Sequence, residues 1–169
     1  MTFRDAAEAD LPAIVAIYNA AIPGRMATAD TEPVTVAQRL PWFREHDPAR
    51  RPLWLAVDGA RTLGWLSFQP FYGRPAYHAT AELSVYVSPA HQRRGVALAL
   101  LTRALAEAPR LGLHTLLGFV FGHNAPSLTL FERLGFARWA LLPRIAELDG
   151  VERDLVIVGR RVSLSRPAA

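Results

Sequence analysis

A carboxylate and two hydroxyls share one side of a short segment. In Thr80-Ala81-Glu82-Leu83-Ser84-Val85-Tyr86-Val87, alternation sets Glu82, Ser84 and Tyr86 against Leu83, Val85 and Val87, the period of a half-buried strand. A lone carboxylate on such a face suits the removal of a proton from an attacking group. Ser88-Pro89 stops the strand, and after Gln92-Arg93-Arg94-Gly95-Val96-Ala97 strong helix formers run on to Leu105. The start of a helix presents backbone N–H groups without partners and the positive end of its dipole. Gly95 and the small Ala97 let a ligand come close to that backbone, so the chemistry that fits is an anion, a phosphate above all. A candidate base therefore adjoins a candidate phosphate cradle.

Other reactive or binding side chains are sparser. Between 69 and 78 lie Phe71, Tyr72, Arg74 and Tyr77. Aromatics beside an arginine suit a small amphipathic ligand, and Arg74 has the forked donors that grip a carboxylate; a hairpin loop packed on its own aromatics reads the same way. Arg93 and Arg94 add charge near the cradle, or form a solvated pair at a helix start. Asn124 is placed to cap a helix that includes Ser127. His46, His78, His91, His114 and His123 lack the paired spacing of metal ligands, so no metal site is expected.

The positioning elements follow from pattern. Phe3-Arg4 reads as a first strand, and Leu11, Ile14, Val15 and Tyr18 as the apolar stripe of a helix with Pro12 in its first turn. Residues 20–33 form a loop able to border a site. Thr35 and Gln38 have capping-box spacing for a second helix, whose Val36, Leu40 and Phe43 are expected to face the core and which Pro41 is expected to kink. Leu53 to Val57 and Leu63 to Phe68 read as an antiparallel pair. Past the opening strand, a helix from about Gly95 to Ala108 presents Ala97, Leu101, Ala104, Leu105 and Ala108 as one face. Thr115 to Phe121 is nearly all apolar, the mark of a central strand. A short helix follows from Pro126 to Leu134, stopped by Gly135, and closing strands are expected at 136–142, ended by Pro143, and at 154–162.

Composition narrows the class. The 169 residues are 51% hydrophobic, enough for one domain over residues 1–162 that buries ~70% of its unfolded surface, with a frayed tail at 163–169. There is no cysteine, which excludes disulfides and thiol nucleophiles. Acidic residues near the N-terminus and the lack of an apolar run near ~20 residues point to a soluble, cytoplasmic chain without membrane partners. All 19 basic residues are arginine, the pI is near 10.3, and the net charge is only +4 with the arginines scattered. Nucleic acid is therefore not an expected partner.

Two motifs together resemble a known family. Gln92-Arg93-Arg94-Gly95-Val96-Ala97 is similar to the Gln/Arg-x-x-Gly-x-Gly/Ala loop of the GCN5-related N-acetyltransferases (GNAT), and Asn124-Ala125-Pro126-Ser127 with Leu134-Gly135-Phe136 to their Asn-x-x-Ser helix. The stretch from Arg74 to Arg93, with Ile17 to Ile22 and Trp42-Phe43, resembles the phosphinothricin and methionine sulfoximine acetyltransferase branch. The resemblance implies an α/β fold with a central, mostly antiparallel sheet containing one parallel pair, flanked by about four helices. It also implies acetyl-CoA as donor, a primary amine such as an amino acid as acceptor, and a homodimer. Glu82 becomes the general base, working through water. Backbone at Val85, Tyr86 and Val87 pairs with the pantetheine arm; amides at Arg93, Arg94, Gly95, Val96, Ala97 and Leu98 hold the pyrophosphate; Asn124 and Ser127 contact the cofactor. Phe71, Tyr72, Arg74 and Tyr77 border the acceptor. Where the family carries tyrosine or histidine before Leu-Gly-Phe, this chain has Phe131, which has no proton to give to a leaving thiolate. A CoA-binding sensor without catalysis is the competing class.

Overall fold

A computed structural model describes residues 1–162; the tail expected to fray lies outside them. Its strands are β1 (Thr2–Asp5), β2 (Leu53–Asp58), β3 (Arg61–Pro70), β4 (Thr80–Val87), β5 (Thr115–Phe121), β6 (Ala137–Leu148) and β7 (Val151–Arg161). The helices are α1 (Leu11–Asn19), α2 (Val36–Arg44), α3 (Val96–Glu107) and α4 (Ala125–Arg133). One seven-stranded sheet has the order β1-β2-β3-β4-β5-β7-β6, and every neighbouring pair is antiparallel except β4 with β5. The mixed α/β architecture with a single parallel pair is the one implied by the sequence.

The two sides of the sheet bury different residues. On one, Leu83 of β4 and Leu116 and Val120 of β5 join Leu100, Leu101 and Ala104 of α3 and Leu128 and Phe131 of α4. On the other, Leu55 and Trp65 pack with Ile14, Ile17 and Tyr18 of α1. The helix α3 is rotated from its expected face: Val96 and Leu100 are buried with Leu101, Ala104 and Ala108, while Ala97 and Leu105 are only partly covered. Val96 and Leu100 remove more apolar surface from water than Ala97 does, and they take the core side in its place. Thr35 and Gln38 form the capping box, with N–H···O distances of 2.8 and 3.2 Å, and Pro41 sits inside α2. No residue of α2 is buried, however: Val36 is exposed, and Trp42 and Phe43 lean on the α1 cluster.

The end of the chain departs most from expectation. Pro143 does not end β6, which runs on to Leu148. As the outermost strand β6 has a free side where the N–H that proline lacks is not needed. The chain instead bulges, the register stepping from Leu142↔Leu155 to Ala146↔Arg153, with Arg144 at φ 51° and its N–H donating to Asp154 Oδ1 at 2.8 Å. β7 correspondingly begins three residues earlier than its expected start, at Val151. This longer hairpin carries residues to the site.

Candidate active site

The parallel pair is short. β4 and β5 are paired at Thr80↔Thr115, Ala81↔Leu116 and Glu82↔Leu117 and nowhere further along. On its other edge β4 stays bonded to β3 as far as Gly64↔Val87, and β5 is paired with β7 along its whole length on its own other edge. The two strands therefore splay after Glu82, leaving the backbone from Leu83 to Val87 with one edge unpaired by any strand. Backbone N–H and C=O groups in such a gap call for a partner. A cleft of about 440 Å³ fills it, lined by Glu82, Ser84, Val85 and Tyr86 from β4 and by Phe119 and Phe121 from β5.

At the far end of β4 the chain turns through Arg93 (φ 60°) and Gly95 (φ 80°) into α3. A left-handed φ at the residue before the helix is what selects glycine at 95, and the space where its side chain would lie is open to at least 4 Å. The first helical bond here is Ala99 N–H to Gly95 O at 2.9 Å, so the amides of Val96, Ala97 and Leu98 have no acceptor within the helix. Arg93 and Arg94 are exposed, and neither enters an ion pair among the described residues. The cradle and Val87 lie beyond the lined cleft, along the same open edge.

Glu82 is the one carboxylate in the lining. Burial pushes its pKa above the ordinary carboxylate value, and no opposite charge pulls it back. A carboxylate raised in this way is a better proton acceptor near neutral pH than an exposed one. Tyr86 donates its hydroxyl proton to Ala27 O at 2.9 Å, and burial pushes its pKa up, so that proton is not readily given away. Phe131 lines the floor, buried against Phe136, and brings no polar group.

Asn124 is buried and engaged at both ends. Its Oδ1 accepts the Ser127 N–H at 3.2 Å, capping α4, while Nδ2 donates to Met26 O at 2.9 Å. Ser127 lines the cleft one turn on. The second bond of Asn124 belongs to a wall that the sequence marked only as a loop able to border a site: Met26, Ala27, Thr28 and Ala29 face the cleft. Tyr18 fixes that wall from below, its hydroxyl 2.5 Å from Thr28 Oγ1 and donating to Asp30 Oδ2 at 2.6 Å.

Phe71, Tyr72, Arg74 and Tyr77 are brought together, but outside the cleft lining. Phe71 sits edge-on to Tyr72 and Tyr77 and stacks on Phe119, which does line it. Arg74 is exposed in the same loop. Residues not singled out from sequence are Phe119, Phe121, Ile145, Ala146 and Leu155. Alternation along β5 carries a signal for the two phenylalanines, whereas Ile145 and Ala146 lie beyond the proline that was expected to end β6. Among the described residues no cluster of three metal-ligating side chains occurs, and no helix is long and apolar enough to cross a membrane.

The sequence profile described as the acetyltransferase (GNAT) family matches residues 14–136. The chain belongs to the GNAT family. The resemblance carried by Gln92 to Ala97 and Asn124 to Ser127 is thereby confirmed, and the branch with it. Over 164 residues, 96% of this chain and 100% of the relative, it is 53% identical to YwnH of Bacillus subtilis, provisionally named a phosphinothricin acetyltransferase. The L-methionine sulfoximine/L-methionine sulfone acetyltransferase of Salmonella typhimurium is 33% identical over 158 residues, 94% of this chain and 92% of that protein. Among solved structures, YncA of Salmonella typhimurium with its cofactor acetyl-CoA superposes with a TM-score of 0.90 at 32% identity, covering 100% of this GNAT chain and 96% of that one.

Proposed function

We propose that this chain acetylates the primary amine of an amino acid or of an analogue of the phosphinothricin, methionine sulfoximine or methionine sulfone type, with acetyl-CoA as donor. It is an N-acetyltransferase of the GNAT family. The observation that carries the reading of the site is the loss of β4–β5 pairing after Glu82↔Leu117, which leaves a strand edge open between a raised carboxylate and the α3 amides. A pantetheine arm, with amides of its own, supplies the partners that the backbone of Val85, Tyr86 and Val87 lacks. Its pyrophosphate then falls to the amides of Arg93, Arg94, Gly95, Val96, Ala97 and Leu98, where the helix dipole favours negative charge.

The reaction needs a neutral amine. Glu82 takes the ammonium proton through a water, the neutral amine attacks the thioester carbonyl, the C–S bond breaks to expel CoA thiolate, and the surplus proton left on the nitrogen passes through water to that thiolate, leaving the amide and CoA thiol. No covalent enzyme intermediate forms. With Phe131 in place of a proton donor and the Tyr86 proton held by Ala27 O, the thiolate leaves without a dedicated acid, which a thiol of pKa ~8.5 tolerates. Arg74 reaches the acceptor's carboxylate from the aromatic loop, Phe71, Tyr72 and Tyr77 flank its side chain, and Ser127 faces the donor. Asn124 serves by holding the Met26 wall through the bonds at the two ends of its amide. A homodimer belongs to the same proposal, with exposed Trp139, Leu141 and Val151 of the β6–β7 hairpin as its apolar contact, and so does a cytoplasmic location.

A thiol-release assay with acetyl-CoA tests the class. Turnover is expected with at least one amino acid or its sulfoximine, sulfone or phosphinate analogue. Acetyl-CoA binding with no release across amines and amino acids would instead make the protein a sensor.

A further inference from the structure

The wall that closes the cleft on its acceptor side is held by a bridge that the reaction itself does not use. Arg25 directly precedes the lining residues Met26, Ala27, Thr28 and Ala29. Its guanidinium grips Asp149 with two bonds, Nε to Oδ2 at 2.8 Å and Nη2 to Oδ1 at 3.1 Å, across 124 positions of chain. Asp149 is in the turn joining β6 to β7, four residues past Ile145 and three past Ala146, which line the cleft from the opposite side. The pair thus ties together two segments that approach the cleft from separate parts of the chain.

Several details mark this bridge as more than a surface ion pair. Arg25 and Asp149 are two of the five non-glycine residues with positive φ among those described, at 51° and 52°, a conformation that costs free energy unless the surroundings hold it. The same guanidinium donates through Nη1 to Ile22 O at 3.3 Å and Thr31 O at 2.9 Å, folding the loop around itself. His123 Nε2 lies 2.8 Å from Arg25 O and Asn124 Nδ2 2.9 Å from Met26 O, so β5's exit holds the adjacent backbone. The other tethers of this loop come from α1, α2, β4 and the β5–α4 connection; among the bonds of the described residues the Arg25–Asp149 pair reaches the β6–β7 turn.

We propose that Arg25 and Asp149 form a latch that positions the acceptor-side wall against the β6–β7 hairpin and thereby sets affinity for the acceptor amine, without touching acetyl-CoA or the reacting atoms. This rests on the transferase reading above. Both groups are solvent-accessible, so the latch weakens with salt. Both are positioning residues.

The test uses Arg25→Gln, Asp149→Asn and the double variant; asparagine is isosteric with aspartate and accepts the left-handed backbone at 149. Each single change is expected to raise the acceptor KM about threefold to tenfold, with kcat and the acetyl-CoA KM within about twofold of the parent, and the double variant to be no worse than the worse single. High salt should raise the parent's acceptor KM by a larger factor than the variants', since the Arg74 contact with the acceptor is screened in all of them and the latch only in the parent. Amide hydrogen exchange across residues 20–34 should be faster in all three, a readout independent of turnover. Unchanged acceptor KM despite faster exchange would overturn the latch, and so would additive effects in the double variant or a parallel rise in both KM values. If the parent releases no thiol, the transferase reading fails by itself, while exchange still reports whether the bridge holds the wall.

Discussion

Replacing Asn124 separates holding the site from touching the cofactor. The side chain is 6% exposed and makes two bonds, one to the Ser127 N–H and one to Met26 O. Asn124→Ala removes both: loss of an N-cap costs about 1 kcal/mol, and loss of the bond to the Met26 carbonyl about 1 kcal/mol more. For a chain of this size about 2 kcal/mol lowers Tm by roughly 4–8 °C. Asn124→Ser keeps an oxygen able to cap α4 but has no donor that reaches Met26 O, so about half of that drop is expected. Thermal unfolding followed by circular dichroism gives the stabilities; calorimetric titration with acetyl-CoA gives the donor affinity, and initial rates give the acceptor KM. The serine variant should bind acetyl-CoA within about twofold of the parent while its acceptor KM rises, because the wall at Met26 is loosened and the donor edge of β4 is not. A serine variant of parental stability that binds acetyl-CoA tenfold more weakly would refute this, and would place the amide on the cofactor instead.

Three further outcomes follow from the same geometry. Because burial raises the Glu82 pKa, the folded chain holds that proton to higher pH than the unfolded chain, and stability falls as pH rises from the ordinary carboxylate value of ~4.3 through the raised one. Glu82→Gln should therefore melt above the parent near neutral pH, and the difference should vanish in acid below the ordinary value; a gap that persists there would mean a cause other than charge burial. Arg74→Ala should raise the KM of carboxylate-bearing acceptors about tenfold and leave amines without a carboxylate unaffected; equal effects on both would dismiss the carboxylate grip. Gly64→Ala would put a Cβ 2.7 Å from Tyr86 O, a backbone atom that cannot swing aside, forcing β3 from the strand that carries the site. A loss of about 3 kcal/mol by denaturant titration is expected; a loss under about 0.5 kcal/mol would show that β3 and β4 yield there.

Much of the framework from β4 through α4 was legible because local rules decide it. Alternation placed Glu82, Ser84 and Tyr86 on one face, the run of helix formers after Gly95 marked a helix start, and Asn124 caps the helix that its position requires. The splay of β4 from β5 was not legible from the residues alone, since where the pairing stops, at Glu82↔Leu117, is set by the tertiary course of the two strands and not by a local pattern. The hairpin side of the cleft was missed because a strand's place in the sheet decides it. Pro143 is a sound stop signal for an inner strand, but β6 is an edge, and its continuation through a bulge is what brings Ile145 and Ala146 to the cleft. The α1–α2 loop owes its shape to contacts with Tyr18, Tyr86, His123 and Asn124, none of which its own residues announce.

Turnover and donor binding in Glu82→Gln bear most directly on the proposed chemistry. The glutamine keeps the size and seat of the carboxylate and removes its capacity to take a proton. With an acceptor found by thiol release, kcat at neutral pH should fall about a hundredfold or more, while the calorimetric Kd for acetyl-CoA stays within about twofold. Undiminished turnover would contradict the assignment of Glu82 as base, and a matching loss of acetyl-CoA binding would show that the carboxylate shapes the donor site instead.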